Sequence, residues 1–181
     1  EAIVNVGIAL VERSRQNVAF KADAKRGMQE FDNTKKLTED VQTRAIRDRE
    51  QLLASDSQEW TQTMAQELEA RKLACMASRY KGISLWLYNK TQGIKELEYA
   101  SNVFCGFHDI RNHLDLLHAS LEVAEESIHA TTQLTDLALE SMEHLRRDEI
   151  ISQGDLLWNT VETALCRSGK ILKEIDKVKT K

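Results

Sequence analysis

The side chains with the spacing to do chemistry fall in one stretch. All five histidines, His108, His113, His118, His129 and His144, lie within residues 108–144, a segment that reads as helical. Glu126 and His129 have the Glu-x-x-His spacing of di-metal helical bundles, where positions i and i+3 share a face and reach one ion in the bundle interior. Asp115 and His118 repeat the spacing eleven residues earlier. A two-metal centre takes such a motif from each of two helices and a further Glu from each of two more. Both motifs here sit on the same helix, and the segment expected opposite, residues 61–91, offers only Glu67 and Glu69. The histidines therefore read as surface residues, and no metal or other cofactor is expected.

Three cysteines, Cys75, Cys105 and Cys166, do not make a disulfide framework. In a reducing compartment all three are expected as buried thiols. In a secreted chain, Cys75 and Cys105 could form a disulfide, leaving Cys166 over. Asn89-Lys90-Thr91 is a glycosylation acceptor only in the secretory pathway. The compartment stays open, with the cytoplasm slightly favoured. The chain carries no phosphate loop, nucleophile elbow, zinc spacing or glycine-rich cofactor fingerprint. No catalytic residues are assigned, and an enzyme is not expected.

The residues with most binding potential are aromatic. Tyr80, Trp86, Tyr88, Tyr99, Phe104 and Phe107 make up six of the ten aromatics in 181 residues. They flank Asn89-Lys90-Thr91-Gln92-Gly93, a turn signal. The expectation is an aromatic tip on a long helical hairpin, with Tyr80, Trp86, Tyr88, Tyr99 and Phe107 available to a partner. A two-helix seam cannot bury all six aromatics. The alternative is that they fill a core where three helices meet.

The elements that must hold these residues are few and long. There is no proline, only seven glycines, and aromatics reach 6%. Scarce punctuation favours long helices, and thin aromatic content favours a narrow seam over a broad core. The fold expected is an all-α, elongated, coiled-coil-like bundle of three or four helices in one domain, at about 1–31, 34–88, 93–148 and 155–180. Apolar residues from Ile3 to Phe31 recur at helical spacing, and the apolar first eleven residues call for burial. Asp32-Asn33-Thr34 is read as a break. Ser55-Asp56-Ser57 could start a helix, but the apolar track from Val41 to Leu87 keeps its phase, so a continuous helix is expected there.

The most regular pattern runs from Ile110 through Leu114, Leu117, Leu121, Ala124, Ile128, Thr131, Thr135, Ala138 and Met142 to Leu145. Its alternating steps of four and three are those of a coiled-coil seam. Extended back to Ile94, this helix would be roughly 80 Å long at about 1.5 Å per residue. Folding at residues 89–93 would lay 34–88 antiparallel on 93–148. Ile83 would then meet Leu97, and Met64 would meet Leu117. After a turn at Ser152–Asp155, the residues Leu157, Val161, Ala164, Ser168, Ile171, Ile175 and Val178 mark the inner face of a last helix.

Net charge is −4, which argues against nucleic acid or an anionic membrane as main partner. Residues 61–91 carry +3 and residues 92–148 carry −7, so the two segments could lie side by side. Membrane contact has only the short run Ile83–Tyr88, too short to span a bilayer. The first residue is Glu1, which suggests excision from a longer chain or processing. The functional expectation is a non-enzymatic helical scaffold or assembly domain, acting through protein partners or self-association on helical faces. The alternative is the ectodomain of an elongated surface receptor for a protein ligand.

Overall fold

The structure, a computed structural model, describes residues 21–52, 57–86, 89–107, 110, 113–145, 149 and 153–179. Among these residues it is all-helical, with five helices and no strand. They are α1 (Lys21–Glu50), α2 (Gln58–Trp86), α3 (Lys90–Ser101), α4 (Leu114–Glu143) and α5 (Asp155–Lys179). The apolar residues 2–11 lie outside the described residues.

The first expected break is absent. α1 runs unbroken through Asp32-Asn33-Thr34 for 30 residues. Thr34 Oγ1 donates to the Glu30 carbonyl at 2.8 Å, and Thr38 Oγ1 to that of Lys35 at 2.8 Å. These hydroxyls are satisfied along the helix and do not compete with it. The helix ends instead after Glu50, where Leu52 N donates to the Arg49 carbonyl at 3.1 Å. α2 begins beyond Ser57, whose hydroxyl accepts from Trp60 N at 3.1 Å, the bond of a helix N-cap. The continuous helix expected over 34–88 is thus two helices. Folding back lets α1 run antiparallel to α2, with Asp32 beside Lys81 and Arg49 beside Glu67.

The expected turn at Asn89 is present. Asn89 Oδ1 accepts from Gln92 N at 3.2 Å and caps α3. Gly93 lies inside α3, where it faces Gly82 of α2. A Cβ on Gly93 would stand 2.9 Å from the Gly82 carbonyl oxygen, and one on Gly82 would stand 2.7 Å from Leu97 Cγ. Two glycines let the backbones approach closely enough to seat Leu97, which is fully buried.

Beyond α3 the structure departs from the long hairpin. α3 has 12 residues and ends at Ser101. Residues 102–106 are not helical, and Gly106 has φ 101°, a left-handed value that favours glycine. This arm continues down α2: Arg71 Nη1 donates to the Val103 carbonyl at 3.2 Å, and His113 packs 5.4 Å from the Trp60 ring. α4 then climbs again, parallel to α2. Lys72 pairs with Glu122, Arg79 with Glu126, and Trp86 with Ser141. The expected antiparallel pairing with 34–88 thus holds for α3 and its arm and is corrected for α4, which runs parallel.

The expected seam of α4 is also widened. Ala124, Thr131 and Ala138 of that seam are buried, but so are Leu116, Ser120, Val123, Ser127, Ala130 and Leu134 beside it, while Leu114 is 73% exposed. α4 packs on α2, α3 and α5, so it buries a broad face rich in small residues and not a narrow heptad stripe. α5 runs antiparallel to α4. Leu157, Val161 and Ala164 join Leu134 and Ala138, while Ile171 and Ile175 join Leu116 and Phe107. This inner face is the expected one.

Gly82→Ala and Gly93→Ala are expected to lower stability by about 1–3 kcal/mol, since overpacking outweighs the better helix propensity of alanine. Gly169→Ala, whose Cβ meets nothing within 4 Å, is expected to raise it by up to about 1 kcal/mol. Urea unfolding of the three variants checks the contrast.

Candidate functional site

The aromatic residues do not form an exposed tip. Trp86 is 8% exposed, and its Nε1 donates to Ser141 Oγ at 3.1 Å. Phe107 is fully buried, edge-on to Phe104 at 5.0 Å. Tyr80 is half-buried, stacked on Phe31 at 6.1 Å with the Arg79 guanidinium 4.4 Å from its ring. Tyr99 lies under Lys35, with Nζ 3.9 Å from the ring, and its hydroxyl donates to Glu39 Oε1 at 3.4 Å. Burial first, and the neighbouring Glu39 second, push the Tyr99 phenol up to about 12. Tyr88 lies outside the described residues. The flanking helices α1 and α4 supply the cover that a two-helix hairpin lacks, so these side chains are core and half-core.

The charged residues cross-link helices. Lys81 reaches Asp32 at 2.6 Å and Glu96 at 2.8 Å, and Lys35 reaches Glu96 at 3.2 Å, tying α1, α2 and α3 together. Burial alone would raise the Glu96 carboxyl, but Lys81 and Lys35 outweigh it and hold that group below its ordinary value. Burial would lower the Lys81 ammonium, but Asp32 and Glu96 outweigh it and raise it. Lower down, the buried Glu67 carboxylate takes Arg71 at 2.6 Å and also Arg49. These residues line a cavity of about 170 Å³ together with Met64, Leu68 and Ile110. The triad satisfies itself: each guanidinium is engaged, Arg49 also on Met64 Sδ and Arg71 also on the Val103 carbonyl.

The motifs read for metal chemistry are dispersed. Glu126 pairs with Arg79 at 3.0 Å, and His129, 60% exposed, stands 3.9 Å from it. Among the described residues no three His, Cys, Asp or Glu side chains gather to hold an ion. Cys75, Cys105 and Cys166 are free thiols, the first buried and the other two exposed. Cys75 Sγ donates to the Ala100 carbonyl at 3.2 Å. Burial, with Glu126 adding to it, pushes this thiol up to about 12, which keeps it from acting as a nucleophile near neutral pH. Ile83 and Trp86 of the short apolar run are buried in the core. No described helix is long and apolar enough to cross a membrane.

Most of the large exposed apolar residues lie on α5, while Leu37, Leu114 and Leu139 are exposed on α1 and α4. Trp158, Leu165 and Leu172 are 60%, 59% and 49% exposed and follow one another at intervals of seven residues. That spacing aligns them along one side of the helix. Leu156, also exposed, stands two residues before Trp158 and so on the far flank of the helix from it. The inner face of α5 is occupied by Leu157, Val161, Ala164, Ile171 and Ile175; each stripe residue follows one of these by one position, so the stripe borders that face on one flank of the helix. Sequence reasoning missed this stripe because it stopped at the first consistent face; the repeat Trp158–Leu165–Leu172 was its signal. Comparison of the chain with protein-family models, curated proteins and solved structures gives no match.

Two outcomes follow from this geometry. Trp86→Ala and Phe107→Ala are expected to cost about 3–5 kcal/mol, as truncated buried aromatics do. Trp158→Ala is expected to stay within about 0.5 kcal/mol; chemical denaturation of the monomer compares them. The Glu96 carboxyl, depressed in the folded state, contributes stability above its unfolded value near 4.3. That contribution is lost as pH falls through the lower folded value. Glu96→Gln is therefore expected to flatten the acid limb of stability against pH, measured by urea midpoints between neutral and strongly acid pH.

Proposed function

We propose that this chain is a non-enzymatic helical assembly domain that binds another protein through an exposed apolar flank of α5. The observation that carries this reading is the stripe Trp158, Leu165 and Leu172. Single exposed apolar residues are ordinary on protein surfaces, whereas an aligned set with a tryptophan is the composition of an interface anchor. The stripe lies on a 25-residue helix whose inner face is locked to the bundle. It is presented rigidly, at little cost in ordering on binding. Its length suits a partner helix laid along it, with side chains meeting at helical intervals.

The test is photocrosslinking in the cells that make the protein, with p-benzoylphenylalanine in place of Leu165 or Leu172 and, as control, in place of the exposed His129. The expected result is discrete protein adducts from positions 165 and 172 and none from 129. Absence of adducts at both stripe positions overturns the reading.

A further inference from the structure

We infer that the partner of α5 is a second copy of the same helix, packed antiparallel across a two-fold axis near Leu165. This rests on the assembly reading above and names its occupant. Two features of α5 support it independently.

The first is the symmetry of the stripe. Trp158 and Leu172 stand seven residues to either side of Leu165. In an antiparallel pair centred there, Leu165 meets its own copy and Trp158 of each chain meets the partner's Leu172. A two-fold interface must be self-complementary in this way, and the stripe has both ends filled. The second is charge. The first half of the helix, residues 155–166, carries Asp155 and Glu162 and no basic residue, a net −2. The second half, residues 167–179, carries Arg167, Lys170, Lys173, Lys177 and Lys179 against Glu174 and Asp176, a net +3. Antiparallel packing lays each acidic half along a basic half. Parallel packing would set +3 against +3, which opposes association.

A two-fold axis perpendicular to two antiparallel helices maps each flank of the pair onto itself. Asn159 and Lys173, both exposed, follow Trp158 and Leu172 by one residue. Across the pair they fall on the same flank and at nearly the same height. With helix axes about 8–10 Å apart, a thiol at one lies within reach of a short bismaleimide from a thiol at the other.

The experiment uses the full chain with Cys105→Ser and Cys166→Ser, which leaves only the buried Cys75. Asn159→Cys and Lys173→Cys are prepared separately on that background, since neither position belongs to the stripe. The antiparallel dimer yields crosslinked product of twice the chain mass only when the two variants are mixed. Product from either variant alone marks parallel packing and overturns the inference. Sedimentation equilibrium of the unaltered protein is expected to show a dimer, and Leu165→Lys to raise its dissociation constant about tenfold or more. The same variant is expected to leave helix content and melting of the monomer unchanged, because Leu165 makes no part of the core. A protein that stays monomeric, or a dimer indifferent to Leu165→Lys, overturns the pairing. Photoadducts of a mass other than twice the chain, found with a monomeric protein, overturn the pairing while sustaining assembly with a different partner; the absence of any adduct together with a monomer removes both.

Discussion

Helix α2 has almost no side that it can leave to water. Its first turns leave Gln62, Ala65, Gln66 and Glu69 to water, but from Ala70 to Trp86 every residue is buried or half-buried. A helix apolar on every side must be surrounded, and the other described elements are arranged to do this. α1 folds back along it, α3 and its arm descend beside it, and α4 climbs parallel to it. The small residues on α2 set the distances. Alanine, serine, cysteine and glycine let neighbours come close, and Gly82 against Gly93 marks the closest approach.

The charged residues serve the same enclosure from its margins. Glu67 is buried and would be costly alone, but two guanidinium groups hold it at the junction of α1 and α2 with the arm. Such a triad is weak evidence for net stability. It does specify how α1 and the descending arm meet α2, because no other position offers that carboxylate its partners. Lys81 and Glu96 do the same at the other end, in a more exposed setting where solvent screens them.

Once α2 is enclosed, the aromatic residues that look like a binding surface are consumed by the core. Trp86 and Phe107 fill it, and Tyr80 and Tyr99 seal its edge under Arg79 and Lys35. Free apolar surface then concentrates on α5, the outermost helix on the α4 side. It needs only its inner face to close the bundle, yet carries an apolar stripe beside it. The stripe has no role in the fold that packing reveals, which is why the assembly reading is placed there.

Much of the architecture is legible without coordinates. Scarce glycine and absent proline specify long helices, because few residues that interrupt the backbone ladder are present. Asn89 announces a cap by its side-chain chemistry, and Leu157 to Ile175 mark the inner face of α5 by their steps of four and three. Direction is not legible. A heptad track carries phase but no polarity, so the reading that set 93–148 antiparallel to 34–88 had no means to detect that α3 stops at Ser101 and α4 returns parallel. The role of Gly93 as a contact, not a turn, depends on Gly82 standing opposite. Burial of Trp86 depends on α4, which brings Ser141 to its indole. Local pattern fixes what a helix is able to bury, whereas which side it buries depends on neighbours distant in the chain.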